Sequence, residues 1–353
     1  MHHSRRDFLK PRSIAQFLST VTGGELDLRP MANIAHSGML CRTGVDSMAT
    51  RFEILFEAID LEHASTAEKG LEQILELESQ MTVYREESEL CAINRSAYEA
   101  PVEVEPRLFE LFELSRMLWE ETAGTFDITL HELLKIWGVF KGPTRVPTQE
   151  EIDTALQGRG FDRVELDSSN RAVRFKTPHT AFNLAAIGKG YALDRVSETL
   201  IENGMEHFLL HGGQSSLYAK GATTWEQGWL VELLHPLDHA TPVAKILLKN
   251  QSLSTSVLIP QKLRGGPVSG HILDPRTGLP VEGNLLSASV LTRSAAVAEA
   301  LSTAFLVMGL DKALEYCENH PRLGAVLTLS REDSTTPEIR IIGSALDCVE
   351  VLS

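Results

Sequence analysis

Hydrophobic and polar positions change period several times along the chain. Phe52-Glu53-Ile54-Leu55-Phe56-Glu57-Ala58 alternates in part and predicts a strand. Ser65-Thr66-Ala67-Glu68 has the form of a capping box, and Leu71, Ile74, Leu75 and Met81 follow at roughly helical spacing. Pro106 opens a second helix with Leu108, Leu111, Phe112, Leu118 and Trp119 along one face. Thr148-Gln149-Glu150-Glu151 is a further capping box and starts a short helix. Two apolar runs, Arg163 to Leu166 and Ala172 to Phe175, flank Asp167-Ser168-Ser169-Asn170 and predict a hairpin. Ile187-Gly188-Lys189-Gly190 leads into a helix carrying Tyr191, Leu193, Val196 and Leu200.

The second half is richer in strand patterns, around Phe208 to Leu210, Leu217 to Ala219, Trp229 to Leu234, Ala244 to Leu248, Leu286 to Leu291, Ala325 to Leu329 and Glu338 to Ile342. Between the Leu286–Leu291 and Ala325–Leu329 patterns lie a helix from about Ala295 to Met308, closed by Gly309, and another from Asp311. Helices and strands are both abundant but do not alternate strictly, which predicts an α+β fold rather than a doubly wound sheet. Residues 1–40 show no period and read as an extension. Residues 41–353 then form the folded domain.

Composition narrows the function. The 353 residues are 43% hydrophobic and 23% charged, enough for a large core. A net charge of -15 argues against general attraction to nucleic acid or anionic lipid, so any phosphate compound must be bound locally, by a metal ion, a helix N-terminus or a few placed cations. Cys41, Cys91, Cys317 and Cys348 form no CxxC pair, which argues against zinc ribbons and redox motifs. Ser4-Arg5-Arg6-Asp7-Phe8-Leu9-Lys10 resembles a twin-arginine export string, but the stretch after it is broken by polar residues. The expectation is cytoplasmic residence, with periplasmic export as the alternative. No stretch has the length of a membrane span.

Four segments carry candidate chemistry. In Gly124-Thr125-Phe126-Asp127-Ile128-Thr129-Leu130, Asp127 sits just past a glycine turn, where it would cap an apolar helix or serve a ligand. In Phe182-Asn183-Leu184-Ala185-Ala186-Ile187-Gly188-Lys189-Gly190-Tyr191, small residues, a helix start and Lys189 suit an anion, although the P-loop spacing is absent; close helix–sheet packing explains the same residues. In Ser269-Gly270-His271-Ile272-Leu273-Asp274-Pro275-Arg276-Thr277-Gly278, His271 and Asp274 could act as base and orienter, or simply form turns. In Ala298-Glu299-Ala300-Leu301-Ser302-Thr303, Glu299 and Thr303 share a helix face and could offer two oxygens to a hard cation, unless the helix is amphipathic and Glu299 merely solvated.

Taken in order, these segments resemble the ApbE family of FAD:protein FMN transferases over roughly residues 45–310. The opening strand is Met48-Ala49-Thr50-Arg51-Phe52-Glu53. Met81-Thr82-Val83-Tyr84 and Glu87-Ser88-Glu89-Leu90 follow, then Ile93-Asn94. Phe126 to Thr129 precedes Ile136-Trp137-Gly138, and the Lys-Gly-Tyr-Ala run extends from Ile187 through Asp194. Gly212-Gly213-Gln214, Ser254-Thr255-Ser256 and the octet His271 to Gly278 complete the series.

The resemblance implies an α+β fold of two lobes, with mixed or antiparallel sheets, packed helices and FAD between the lobes. It implies a Mg²⁺ site made from the Ala186 carbonyl, Glu299 and Thr303. Met48, Glu89, Leu90, Cys91, Asp127, Lys189, Ser254, Thr255, His271 and Leu273 would line the flavin nucleotide, with His271 and Asp274 near the pyrophosphate as catalytic groups. The implied reaction moves FMN from FAD onto a Ser or Thr hydroxyl of an acceptor redox protein that carries a flavinylation motif, and releases AMP. Hydrolysis of FAD to FMN and AMP, or FAD binding without turnover, are the alternatives. The chain departs from the family pattern in having Glu299 and Asn183 where Asp is usual, Gln214 in place of the acid of the glycine turn, Val257 in place of Gly, and Ala49 in place of Gly.

Overall fold

A computed structural model describes residues 39–139, 146–258, 260–262, 268–270, 272–331 and 334–352. The arginine string and His271 lie outside the described residues. The first half runs β1 (Leu40–Ser47), β2 (Thr50–Glu57), α1 (Ala64–Met81), α2 (Glu89–Ser96), β3 (Val102–Glu103), α3 (Pro106–Glu121), α4 (His131–Ile136), α5 (Gln149–Leu156), β4 (Val164–Asp167), β5 (Ala172–Phe175) and α6 (Gly188–Glu202). The second half runs β6 (Phe208–Gly212), β7 (Ser216–Lys220), β8 (Trp229–His235), β9 (Asp238–Leu248), β10 (Gln251–Val257), β11 (Pro260–Lys262), β12 (Val268–Gly270), β13 (Leu285–Thr292), α7 (Ala295–Met308), α8 (Leu310–Asn319), β14 (Gly324–Arg331), β15 (Ser334–Gly343) and β16 (Val349–Val351).

The frame is an eight-stranded sheet in the order β1-β2-β6-β7-β10-β13-β14-β15. Every neighbouring pair in it is antiparallel, so the expected α+β class holds and the sheet is of one kind rather than mixed. Strand alternation sends the apolar residues of β2 to opposite faces. Phe52, Ile54 and Phe56 join Leu71 and Ile74 of α1, Val196 and Leu200 of α6 and Phe305 of α7 in the larger core. Leu55 faces the other way and joins Leu209, Leu217, Leu253 and Leu291 against Trp229, Leu233, Ile246 and Leu248 of the small sheet β16-β9-β8. The run Phe52 to Phe56 alternates only in part because both of its faces are buried.

Local expectations meet mixed outcomes. The Thr148 capping box is present with both of its hydrogen bonds, Pro106 sits in the first turn of α3, and Gly309 ends α7 at φ 81°. The hairpin β4–β5 closes as its turn residues predict. Ser65, by contrast, caps nothing: a 3₁₀ turn over Ala58–His63 runs directly into α1, whose first residue is Ala64, so the Ser65 amide already lies inside the helix. The β1–β2 hairpin pairs Ser47 with Thr50 around Met48 and Ala49, at φ 49° and 58°, the geometry of a type I′ turn. Neither residue is glycine, and the turn is tied down from outside, because the Met48 N–H donates to Glu78 Oε1 of α1 at 3.0 Å. Among the described residues, no helix is long and apolar enough to cross a membrane.

Candidate active site

Two helices meet end to flank to make the centre of the site. Helix α7, Ala295-Ala296-Val297-Ala298-Glu299-Ala300-Leu301-Ser302-Thr303-Ala304-Phe305-Leu306-Val307-Met308, is apolar on nearly every side and accordingly buried on nearly every side. Glu299 is its one charged residue and is only 3% exposed, so the solvated amphipathic face is not what forms. A buried carboxylate requires partners. Glu299 takes them from the first turn of α6: Lys189 Nζ forms an ion pair with Oε1, and the Gly190 N–H donates to Oε2 at 2.7 Å. In a continuing helix that N–H would close onto the Ala186 carbonyl. Its diversion to Glu299 leaves the Ala186 oxygen outside the helix ladder.

The two helices are pinned together at two further points. A Cβ placed on Gly190 would lie 2.2 Å from the Ala295 carbonyl oxygen, so only glycine allows this approach of backbones. One turn on, Asp194 caps the start of α7. It accepts from Ser294 Oγ at 2.7 Å, from the Ala295 N–H at 2.7 Å and from the Ala296 N–H at 3.0 Å. Burial raises the Asp194 carboxyl to about 6 against the opposing pull of those donors. Farther along α7, Ser256 of β10 reaches Ser302 Oγ at 2.8 Å and Thr303 Oγ1 at 3.1 Å, fixing the Thr303 hydroxyl one turn from Glu299.

Ala186, Glu299 and Thr303 thus offer a carbonyl, a carboxylate and a hydroxyl. That all-oxygen set fits a hard divalent cation such as Mg²⁺. No cluster of three or more His, Cys, Asp or Glu side chains suited to a metal occurs among the described residues. A cation here would therefore need ligand oxygens from its substrate as well, as Mg²⁺ at phosphate sites ordinarily does.

A second strip lies alongside. Residues 127–130 run beside 181–183, with Leu130 bridged to Ala181 in parallel and the Asn183 N–H donating to the Ile128 carbonyl at 2.7 Å. Asp127 is not a helix cap, since α4 starts only at His131. Its Oδ1 instead closes a local turn, accepting from the Thr129 N–H at 2.8 Å and Thr129 Oγ1 at 2.6 Å. Gly160 N–H donates in turn to Thr129 Oγ1 at 2.6 Å. Oδ2 of Asp127 is buried and has no partner, and burial pushes the carboxyl up to about 6. Asn183 Oδ1 accepts from the Ala185 N–H at 2.9 Å and so shapes the loop that delivers Ala186. From below, Asn94 of α2 grips the same loop with two hydrogen bonds to the Phe182 backbone, at 2.7 and 2.8 Å.

The raised Asp127 value gives a signed prediction. Its folded-state pKa lies above the ordinary 3.8, so its contribution to stability is present below that value and is lost as pH rises through about 6. Asp127→Asn removes the ionisation while keeping the Oδ1 contacts. The variant is expected to match wild type near pH 4 and to exceed it by about 1–3 kcal/mol at pH 8. Denaturant unfolding at the two pH values measures this, and a difference independent of pH would contradict it.

The remaining expected residues divide into those at the site and those spent on structure. Thr255 and Ser254 are bonded within the sheet, to Ser289 Oγ at 2.8 Å and Ser216 Oγ at 3.2 Å. Both Glu89 oxygens are engaged, by the Glu105 N–H at 2.7 Å and Gln80 Nε2 at 2.8 Å, so its carboxylate braces α2. The Leu90 side chain is fully buried in the larger core, and Leu273 packs with Leu133, Trp137 and Ile152, leaving only their backbones to face a ligand. Cys91 is half-buried beside the Ser88 cap of α2. Asp274 is held by Arg276, whose Nε and N–H groups reach its oxygens at 2.7–2.9 Å, and the Asp274 carboxyl is lowered from its ordinary value. Its described role is to shape the turn from Asp274 to Gly278, which Trp137 Nε1 ties to α4 through the Gly278 carbonyl at 2.8 Å. Ser256, Ser302, Asp194 and Gly190 are site-building residues absent from the expected set. Their signal lay in α7 itself: a helix without a polar face obliges its one acid and its hydroxyls to find partners from neighbouring elements.

This arrangement of sheet and helices is shared with solved proteins. The ApbE protein of Thermotoga maritima superposes with a TM-score of 0.78 at 26% identity, covering 88% of this chain and 98% of its own. The flavin transferase ApbE of Vibrio cholerae gives 0.74 at 22% identity over 88% and 99%. Among curated proteins, the FAD:protein FMN transferase of Salmonella typhimurium is 27% identical over 277 residues, 76% of this chain and 79% of the relative. That of Escherichia coli K12 is 26% identical over 297 residues, 82% and 84%. The ApbE family model itself matches residues 48–327, from the hairpin tip at Met48 to the strand that follows α8, and the chain belongs to the ApbE family.

Proposed function

We propose that the protein transfers FMN from FAD to a hydroxyl of an acceptor protein, with assistance from a divalent cation. The observation that carries the reading is the buried Glu299 carboxylate, fixed at the first turn of α6 beside Lys189 and one helical turn from the Thr303 hydroxyl. A buried acid so placed among oxygen donors and helix N–H groups suits a pyrophosphate and its counter-cation. The relatives named above as FAD:protein FMN transferases support the same substrate.

In the reaction, an acceptor Ser or Thr oxygen forms a bond to the FMN phosphorus of FAD. The bond from that phosphorus to the bridging pyrophosphate oxygen breaks, AMP departs, and the hydroxyl proton passes to a base, the role assigned to His271. A cation held by Ala186, Glu299 and Thr303 would supply neutralisation of negative charge on the pyrophosphate oxygens. Lys189 contributes a point charge, and the N-terminal end of α6 contributes the positive end of its helix dipole. Asp127 Oδ2 offers an unpaired acceptor to a donor group of the bound nucleotide. Ser254, Thr255, Met48 and the backbone of Glu89, Leu90, Cys91 and Leu273 complete the proposed lining, with Asp274 shaping the turn that follows Leu273 near the pyrophosphate.

The test is incubation with FAD, Mg²⁺ and an acceptor redox domain bearing a flavinylation motif. Covalent flavin fluorescence on the acceptor and an equal amount of AMP are expected. AMP and free FMN without labelling would assign a pyrophosphatase instead, and FAD binding without either product would leave a binding protein.

A further inference from the structure

We infer that Lys189 is a resident counter-ion of Glu299 that a divalent cation displaces, so that cation binding frees the Lys189 ammonium for the nucleotide phosphates. The inference rests on the cation site proposed above and adds a coupling between the two ligands.

Both oxygens of Glu299 are already engaged, Oε1 by Lys189 Nζ and Oε2 by the Gly190 N–H. A Mg²⁺ ion needs a carboxylate oxygen at roughly 2.0–2.1 Å. The ammonium cannot share Oε1 with it, because two cations that close repel strongly in a poorly solvated site. One of the pair has to yield, and the structure identifies which. Glu299 sits mid-helix on α7, is 3% exposed, and is held in place by the Gly190–Ala295 contact and the Asp194 cap. The Lys189 side chain keeps a quarter of its surface exposed and ends a flexible four-carbon stem. Lys189 is therefore the mobile partner. It leaves from the first turn of α6, where the positive end of the helix dipole favours an anion. A phosphate arriving with the cation would meet the released ammonium there. Each ligand then removes a cost from the binding of the other, and the coupling is reciprocal.

The wild-type protein tests this directly. Lysine acetylation read by peptide mass spectrometry should show Lys189 modified several-fold faster when saturating Mg²⁺ is present, with exposed Lys249 as an unchanged internal reference. Equal rates with and without Mg²⁺ would overturn the exchange. Calorimetry on Lys189→Met provides the second arm. Without FAD, the variant should bind Mg²⁺ about tenfold more tightly than wild type, and the mutual enhancement of FAD and Mg²⁺ seen in wild type should shrink toward none. Unchanged or weaker Mg²⁺ binding in the variant would count against the exchange. Glu299→Ala separates the two claims. If it abolishes Mg²⁺ binding while Lys189 labelling stays flat in wild type, the exchange fails and the cation site stands. If wild type binds no Mg²⁺ at all, both fall together.

Discussion

With Glu299 replaced by alanine, flavin transfer is expected to fall by about a hundred- to a thousandfold, and the residual rate should no longer respond to Mg²⁺. The size follows from what the carboxylate touches. It is the only acid in α7, it is buried, and it binds both the Lys189 ammonium and the Gly190 amide. Removing it takes away the one anionic oxygen of the proposed cation site and leaves Lys189 without its fixed partner. The fold should survive, because Lys189 is partly exposed and its ammonium can reach water. Glu299→Asp provides the graded control: it keeps the charge but shortens the reach, and should retain more activity than alanine with a weaker Mg²⁺ response. Activity assayed over a Mg²⁺ series, with circular dichroism to confirm folding, decides the matter. An alanine variant with wild-type rates would remove the site from the reaction.

Gly190→Ala should produce a large loss of stability for a single methyl group, about 3 kcal/mol. The added Cβ would stand 2.2 Å from the Ala295 carbonyl oxygen and 2.5 Å from its carbon. Both are backbone atoms of α7 and neither can rotate away. The helices must separate, and the separation strains the Gly190 N–H bond to Glu299 and the Asp194 cap together. The melting temperature should fall by roughly 4 °C, and a variant melting within about 1 °C of wild type would mean that the helices have slack that the contact distance denies. Gly188, two residues earlier, makes a useful contrast. Its Cβ would meet nothing closer than Leu184 Cβ at 3.7 Å, so the same substitution there should be mild.

These two residues also show what could be read from the chain alone. Elements with strong local signals were legible: the hairpin about Asp167 to Asn170, the first turn at Pro106 and the helix ending at Gly309 all form where the pattern places them. The pairing of Glu299 with Lys189 across 110 positions was not, because no local period encodes which helix end a buried acid will find. The apparent capping box at Ser65 failed for a related reason: a capping pattern specifies a helix start only if no earlier turn feeds the helix, and here one does. Asp127 illustrates a third limit. A carboxylate after a glycine turn suits a cap or an Asx-type turn equally, and the choice depends on Gly160 and Asn183, which arrive from distant parts of the chain. Motif order does not reveal what each side chain does: Glu89, Leu90 and Leu273 spend theirs on structure.

The double pinning of α6 to α7 bears on how the site can be entered and left. Parting the helices would expose the Asp194 cap and break the seam at Gly190, a cost comparable to local unfolding. The proposed floor of the nucleotide site would therefore keep one shape through a reaction cycle, and the amides of Ala295 and Ala296 should be among the slowest in the molecule to exchange with solvent. In the proposed reaction, arrival of FAD and departure of AMP would be left to the rim, where the Met48–Ala49 hairpin tip and the turn from Asp274 to Gly278 lie in loops rather than in the buried helix pair.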